Sequence, residues 1–400
     1  MIVGTIAPYP PKNALHSGTI TFYMKALANS LKKLNADIIC LADGNGDAYT
    51  EHGIKVIRCW KRGISYPFSI FTQLSKYANK INIIHVQHEY YMYGNEISAA
   101  LFPFMLLLLK FLRKPIVVTL HSALPLTDIN KAFTEENRVR GAPIVLRTAL
   151  LLVTKLISSL STRIIVHENV LKQRLFQQYK INPEKIEVVP LGIEDRSRFC
   201  KSEAKRQMGM LDKTILLYMG YITGYKGVET LIDAFKLLKD NEDYVLFIAG
   251  GAPSRSKSND AHQSYLKEIK GRGAAVSKNI IFTGFLQEEK LPLFFSAADL
   301  AVFPHKVKVG FSGPMSLAVA FESPFIASES FEGIIDEELL FNGTCGLAEK
   351  INQFFEDAEL RRKISIYVKE LKEERSWDNV ARQTRGLYEK LICTPLCQSA

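Results

Sequence analysis

The sequence predicts an α/β protein made of two Rossmann-like domains, each a parallel sheet wound with helices. Three observations carry this. Short apolar strand candidates alternate with amphipathic helical stretches from end to end, which is the pattern of parallel α/β folds. That series occurs twice along the chain. The length, 400 residues, is long for one domain and comfortable for two.

In the first half the strand candidates are Ile2–Ala7, Asp37–Leu41, Lys55–Arg58, Ile83–Gln87, Ile116–Leu120, Arg163–Val166 and Ile186–Val189. A helix beginning near Gly18 places Phe22, Leu27, Leu31 and Leu34 on one face. The second half repeats the plan with Thr214–Met219, Tyr244–Ala249, Ile280–Gly284, Leu300–Phe303 and Pro324–Ala327, with helices such as Val228–Lys239 and Glu288–Ala297 between them. The change-over is expected near Pro190–Phe199, where a strand ends and a charged loop follows. Ligands of doubly wound sheets bind beyond the carboxyl ends of the strands, so a ligand is expected in a cleft where two such domains face each other.

Composition narrows the class. With 47% hydrophobic and 23% charged residues the chain is neither disordered nor fibrous. Its net charge of +10 is uneven: residues 1–190 hold 23 Lys and Arg against 12 Asp and Glu, and residues 191–400 hold 28 against 29. Two lobes with different partners follow from that asymmetry. Nucleic-acid recognition motifs are absent, and the aromatics do not interleave with Lys and Arg on one strand face.

The N-terminus reads as a strand without a basic leader, so no secretory signal is expected. The longest uninterrupted apolar run, 99–109, is well short of the roughly 18–20 residues that span a bilayer. Six scattered cysteines at 40, 59, 200, 345, 393 and 397 lack zinc-knuckle spacing and fit a reduced, cytoplasmic setting. The stretch Leu101–Lys114 is apolar on nearly every face and ends in a basic cluster. It fits a helix buried in a Rossmann layer, or one that touches anionic lipid at the inner face of a membrane.

Several segments carry chemistry. In 218–231 a strand runs into a tight glycine turn at Gly220 and Tyr221, and Lys226 and Gly227 then open a helix. Backbone amides at a helix start together with one cation suit a phosphate or diphosphate. Read by itself, Lys226 also fits a surface lysine before a helix. Gly250 and Gly251 end a strand and leave room for a ligand to approach. Ser312, Gly313, Pro314 and Met315 open an apolar helix that Ser312 can cap, with or without a ligand on its amides. His305 fits a side chain aimed at the site or an exposed loop histidine. Glu329 and Glu332 fit solvated loop charges or a ribose contact.

In this order the segments resemble the retaining glycosyltransferases of family 4, which have the GT-B fold. The resemblance runs from Ala7-Pro8-Tyr9-Pro10-Pro11 and Gly18 through Thr119-Leu120-His121 and Val189-Pro190-Leu191-Gly192-Ile193. It continues with Lys226-Gly227, Gly250-Gly251 and Ala298-Asp299, and closes with Ser376-Trp377-Asp378-Asn379-Val380-Ala381 and Tyr388.

The resemblance implies an acceptor-side domain over residues 1–190, a donor-side domain over 191–372, and a helix over 373–400 crossing back to the first. It implies a nucleotide-diphosphate sugar donor (UDP-, GDP- or ADP-linked), no metal and no further cofactor. The acceptor it implies is a glycan, a lipid-linked molecule or another acidic or membrane-proximal hydroxyl. Lys226 would hold the leaving diphosphate, with Gly18 and the 312–315 amides beside it, and His121 would stand near the sugar and acceptor.

The departures are specific. Tyr221 stands where family members often carry arginine, and Val309 and Leu317 stand where many carry two glutamates. Residues 220–227, 312–313 and His88-Glu89-Tyr90 resemble a divergent subgroup, but Thr223 stands where that subgroup has arginine. A site with one lysine instead of two cations is expected either to be weaker toward diphosphate or to recruit Arg255, Lys306 or Lys308 from adjacent loops. Loss of the usual pattern leaves a second reading, a non-catalytic GT-B subunit that binds a nucleotide sugar or a partner. A sugar-nucleotide epimerase on the same fold fits the motif order less well.

Overall fold

The computed structural model describes residues 1–12, 19–136, 141–239, 241–253, 260–308 and 310–393. The strands are β1 (Ile2–Ile6), β2 (Asp37–Asp43), β3 (Tyr49–Glu51), β4 (Ile54–Trp60), β5 (Ile83–His88), β6 (Ile116–Leu120), β7 (Arg163–Val166), β8 (Ile186–Val188), β9 (Thr214–Met219), β10 (Tyr244–Ala249), β11 (Ile280–Gly284), β12 (Leu300–Phe303), β13 (Phe325–Ser328) and β14 (Leu340–Phe341). The helices are α1 (Thr19–Lys33), α2 (Tyr66–Ser75), α3 (Glu96–Ala100), α4 (Phe102–Lys110), α5 (Lys131–Glu136), α6 (Pro143–Leu160), α7 (Asn169–Gln177), α8 (Lys201–Gln207), α9 (Val228–Lys236), α10 (Asp260–Val276), α11 (Leu291–Ala297), α12 (Gly313–Ala320), α13 (Gly343–Glu356), α14 (Ala358–Glu374) and α15 (Trp377–Cys393).

The chain divides into two compact units. Unit 1 comprises Met1–Gly192 with Trp377–Ala400, and unit 2 comprises Ile193–Ser376. The sheet of unit 1 has the order β3-β4-β2-β1-β5-β6-β7-β8. All its pairings are parallel except β3 with β4, an edge hairpin turned by His52 and Gly53, both at positive φ. That two-residue loop is the favoured hairpin geometry. The sheet of unit 2 has the order β11-β10-β9-β12-β13-β14 and is parallel throughout.

Alternation along the strands of unit 1 builds two cores. In β6, Ile116, Val118 and Leu120 face one cluster and Val117 the other. The first cluster is closed by α2, α4 and α6, which pack side by side. The second is closed by α1 and by α15, which brings Val380, Ala381, Leu387 and Tyr388 onto the sheet. Gly192 lies against the Trp377 indole so closely that a Cβ there would overlap the ring.

Some expectations are corrected. In α1 the buried stripe is Tyr23, Met24, Leu27, Ala28 and Leu31, while Phe22 is exposed. Phe22 precedes Leu27 by five positions, which is off the three- or four-residue step of a helix face. The helices expected over 228–239 and 288–297 are shorter: α9 ends at Lys236, and Glu288–Lys290 is a separate 3-10 turn before α11. α6, interrupted by Arg147 and Lys155, escapes a search for unbroken apolar runs. It is nonetheless long and apolar enough, at 18 residues and mean hydropathy 1.6, to cross a membrane by length and composition. The five described cysteines are free thiols, and Cys397 lies outside the described residues.

Candidate active site

In unit 2 the strand order reverses between β9 and β12, which flank each other although β10 and β11 intervene in sequence. Loops leaving the carboxyl ends of two such strands part to opposite sides and open a crevice. The loop after β9 passes through Gly220, a 3-10 turn over Gly224–Lys226 and Gly227, and then enters α9. The loop after β12 carries Pro304 and His305.

Glycine makes these loops meet. Gly227 has φ of +67°, and a Cβ there would overlap the Pro304 carbonyl oxygen. Gly250 has φ of +152° and backs in the same way onto the Gly220 carbonyl. Neither position tolerates a side chain. Amide bonds from Gly220 to Ala249 (3.0 Å) and from Ile222 to Gly251 (3.0 Å) tie the β9 and β10 loops together.

This arrangement buries Lys226. Its Nζ stands 2.6 Å from Nε2 of His305, and both side chains are buried. The ammonium donates, so His305 accepts at Nε2 and carries its own proton on Nδ1. Burial pushes Lys226 down to about 8. Burial first, and then the neighbouring ammonium, push His305 down to about 3, so its ring is neutral. Among the described residues no carboxylate pairs with Lys226, and its positive charge is not cancelled.

The other nearby cations differ. Lys306 is paired with Glu229, and Lys308 with Glu332 at 3.0 Å. Arg255 and Val309 lie outside the described residues, as does Gly18. Lys306, Lys308, Glu329 and Glu332 line a cavity of about 440 Å³ at the carboxyl ends of β12 and β13. A second cavity of about 430 Å³, lined by Arg198, Phe199 and Glu322 among others, opens at the amino ends of the strands, away from these loops.

Ser312 caps α12, its Oγ accepting from the Met315 amide at 3.3 Å. Pro314 has no amide hydrogen. Of the three residues Gly313, Pro314 and Met315, only Gly313 therefore keeps a backbone donor for a ligand, fewer than the sequence suggests. Pro314 stands beside Gly220, 3.6 Å from where a Cβ would be, so the capped helix and the β9 loop adjoin. Leu317 packs against the core. Tyr221 and Phe285 are both exposed and meet edge to face at 5.9 Å, an aromatic surface beside the same loops.

In unit 1, His121 follows β6, between the ends of β5 and β7. A buried polar chain runs through it. Nδ1 of His167 lies 3.0 Å from the Val189 carbonyl, which can only accept, so His167 is protonated there. Its Nε2 then accepts from Nδ1 of His121 at 3.0 Å. Nε2 of His121 lies 2.9 Å from the Gln87 amide, and that amide lies 3.1 Å from Nε2 of His85. Nδ1 of His85 is 2.5 Å from the Tyr388 hydroxyl.

Burial, reinforced by neighbouring histidines, holds His121 well below the usual range and His85 at about 3. The Gln87 oxygen faces His121 and its nitrogen faces His85; with neutral rings these links are satisfied once that amide is flipped, so that its NH₂ donates to His121 and its oxygen accepts from His85. Both ring nitrogens of His121 are thus engaged by the protein. The sequence marks His121 but not Gln87 and His167, whose signal is their place at the ends of adjacent parallel strands. Glu89, after β5, is also held here: its carboxylate accepts from Ser122 Oγ and the Tyr90 amide, and burial raises its pKa. Among the described residues no three His, Cys, Asp or Glu side chains gather as a metal site.

Comparison with known proteins agrees with this architecture. Residues 20–196 match the Glycosyltransferase Family 4 model, and residues 201–371 match the model Glycosyl transferases group 1. The curated relatives include a lipopolysaccharide 1,2-N-acetylglucosaminetransferase from Salmonella typhimurium, 28% identical over 236 residues. That match takes in 55% of this chain and 60% of the relative, so the chain spans less than two thirds of that protein's length. Among solved structures, Anabaena HepE in complex with UDP superposes with a TM-score of 0.69 at 16% identity, covering 98% of this chain and all of that one. Sucrose-phosphate synthase from Thermosynechococcus elongatus superposes with a TM-score of 0.68 at 18% identity, covering 98% of each. Each half of the chain thus matches one glycosyltransferase family model, and the chain has the GT-B fold along nearly its whole length.

Proposed function

We propose that this protein is a retaining hexosyltransferase of a divergent family 4 subgroup, using a nucleotide-diphosphate sugar as donor. The observation that carries this reading is the uncancelled Lys226 ammonium, buried beside neutral His305 where the strand order of unit 2 reverses. Such a charge suits the phosphate that accumulates negative charge as the bond to the sugar breaks, and a preorganised ammonium needs no reorganisation at that moment. Gly220, Gly250 and Gly251 let the diphosphate approach the backbone, and Gly313 adds an amide. Glu329 is the group for the ribose, since Glu332 is held by Lys308. Tyr221 offers a face to the nucleotide.

In the reaction the anomeric carbon loses its bond to the diphosphate oxygen and gains one to the acceptor oxygen on the same face. The acceptor proton passes to the departing phosphate, so no general base is assigned. His121 orders the acceptor side of unit 1 through its ring edge, because its nitrogens are held by His167 and Gln87. The acceptor is a glycan or lipid-linked hydroxyl, a reading supported by the excess positive charge of residues 1–190. UDP-linked donors are the first to test, since HepE is seen in complex with UDP.

The experiment is a thermal-shift and calorimetric screen of UDP, GDP and ADP, followed by slow donor hydrolysis by wild type and Lys226→Ala. One nucleotide raises the melting temperature, and the variant loses hydrolysis while keeping its fold. If no nucleotide binds, or Lys226→Ala hydrolyses at the wild-type rate, the reading fails. The non-catalytic binding subunit remains as a second reading, because Tyr221 and Leu317 replace charged groups and His121 has no free nitrogen. Nucleotide-sugar binding without turnover of any donor would decide for it.

A further inference from the structure

Unit 1 presents one helix layer outward, and that layer is apolar on the wrong side. α2, α4 and α6 pack next to one another and all bury residues in the same core cluster, among them Ile70, Leu106 and Ile157. Their opposite faces should then be polar. They are not. On α4, Phe104 and Leu107 lie three positions apart and Phe111 four further on, one outward stripe with Phe111 71% exposed. On α6, Val145, Ala149, Leu152 and Leu156 repeat at steps of four, three and four, all exposed. Before and on α2, Ile64 and Phe68 are one turn apart and exposed, Ile64 at 66%. The Phe68 and Phe104 rings touch edge to face at 5.5 Å, joining two of the stripes in the open.

Charge along the sequence segments that carry these helices is of one sign. Residues 52–88, 97–127 and 137–167, which contain the three helices, hold 14 Lys and Arg and no Asp or Glu. Lys61, Arg62, Lys110, Arg113 and Lys155 are exposed there. The acids between these segments belong to other elements, such as Glu96 on α3.

We propose that the outer face of α2, α4 and α6 is a docking surface for an anionic lipid bilayer, with the apolar stripes entering the headgroup boundary and the surrounding cations on the phosphates. An apolar face of this kind with Lys and Arg and no acid is the chemistry of an interfacial, non-spanning membrane contact. A second copy of this chain is the poorer occupant. A two-fold interface sets the same patch against itself, and here that would oppose cation to cation. α6, about 27 Å long at 1.5 Å per residue, would lie along the surface rather than cross it. The inference stands on unit 1 alone and does not depend on the donor chemistry of unit 2.

The test is co-sedimentation of the full chain with phosphatidylcholine vesicles, with and without phosphatidylglycerol. Two double variants are compared, Leu107→Glu with Phe111→Glu and Leu152→Glu with Leu156→Glu, against Leu211→Glu, an exposed leucine of unit 2. Circular dichroism and thermal unfolding check each fold. Wild type and Leu211→Glu bind the anionic vesicles, bind phosphatidylcholine weakly, and are released by salt. Each double variant loses roughly tenfold in partitioning. No binding to anionic vesicles, equal binding by the folded double variants, or a wild-type dimer in light scattering that these substitutions dissociate would overturn the proposal.

Discussion

The Tyr388 hydroxyl shares a hydrogen bond of 2.5 Å with Nδ1 of His85, and through that bond the last helix joins the polar chain that ends at His121 and His167. The ring at the strand end is therefore fixed from behind, by a residue 267 positions away in sequence. Tyr388→Phe removes the hydroxyl and leaves a buried ring nitrogen unpaired, which costs about 1–3 kcal/mol. Thermal unfolding should show a lower melting temperature with nucleotide affinity unchanged. An unaltered melting temperature would mean that the chain of bonds is not intact.

Lys226 is expected to set an alkaline limit on donor binding. Its folded pKa of about 8 lies below the ordinary lysine value of 10.5, so the ammonium that the diphosphate needs is lost as pH rises through about 8. KM for the donor rises between pH 7 and 9. The stability effect runs the other way. The folded state binds fewer protons than the unfolded one between about 8 and 10.5, so the cost of burying this charge is relieved as pH rises through that window. Lys226→Arg keeps a charge at all these pH values and should flatten the KM profile, whereas Lys226→Ala should lose about 10²–10³ in kcat/KM.

His305 acts through Lys226 and is a positioning residue. His305→Phe takes away the acceptor at 2.6 Å and leaves the buried ammonium without a hydrogen-bond partner. The charged form is then less favourable still, so the alkaline limb of the KM profile moves to lower pH. His305→Gln offers an acceptor again and should restore part of the shift. A limb that stays in place in the phenylalanine variant removes His305 from the scheme.

Two glycines give opposite signs. Gly227→Ala places a Cβ into the Pro304 carbonyl at a left-handed φ of +67°, and should cost at least ~2 kcal/mol or prevent soluble expression. Gly271 lies inside α10 with open space around its Cβ position. Gly271→Ala should stabilise by roughly 0.5–1 kcal/mol. Urea unfolding of the two variants beside wild type measures both.

Much of this was legible because parallel strands buried on both faces read as short apolar runs, and twelve of the fourteen show in that way. β3 and β14, with three and two residues, are too short to make a pattern, although His52-Gly53 carries a hairpin signal. Lys226 stood out because glycines frame it. Its partner did not, since the separation of 79 positions between Lys226 and His305 is closed only by the switch in strand order. The engagement of both His121 nitrogens was equally hidden, because it depends on β5, β6 and β7 ending side by side. On α4, periodicity separates two faces that composition merges: Met105, Leu106 and Leu109 turn inward, Phe104 and Leu107 outward.

Unit 2 is inserted whole between Gly192 and Trp377, and the two crossings are adjacent: Ile193 pairs with Ser376, and its amide donates to the Arg375 carbonyl at 2.7 Å. On a ribosome the consequence is an order of events. The sheet of unit 1 is finished at Val188, but the helix that seals one of its faces is not made until some 200 residues later, a delay on the order of ten to forty seconds at usual elongation rates. Through that interval Tyr23, Met24 and Leu27 wait beside a bare apolar strip while unit 2 is made complete. The nascent chain thus completes unit 2 first. Arrival of α15 then covers the strip and closes the histidine chain in one step.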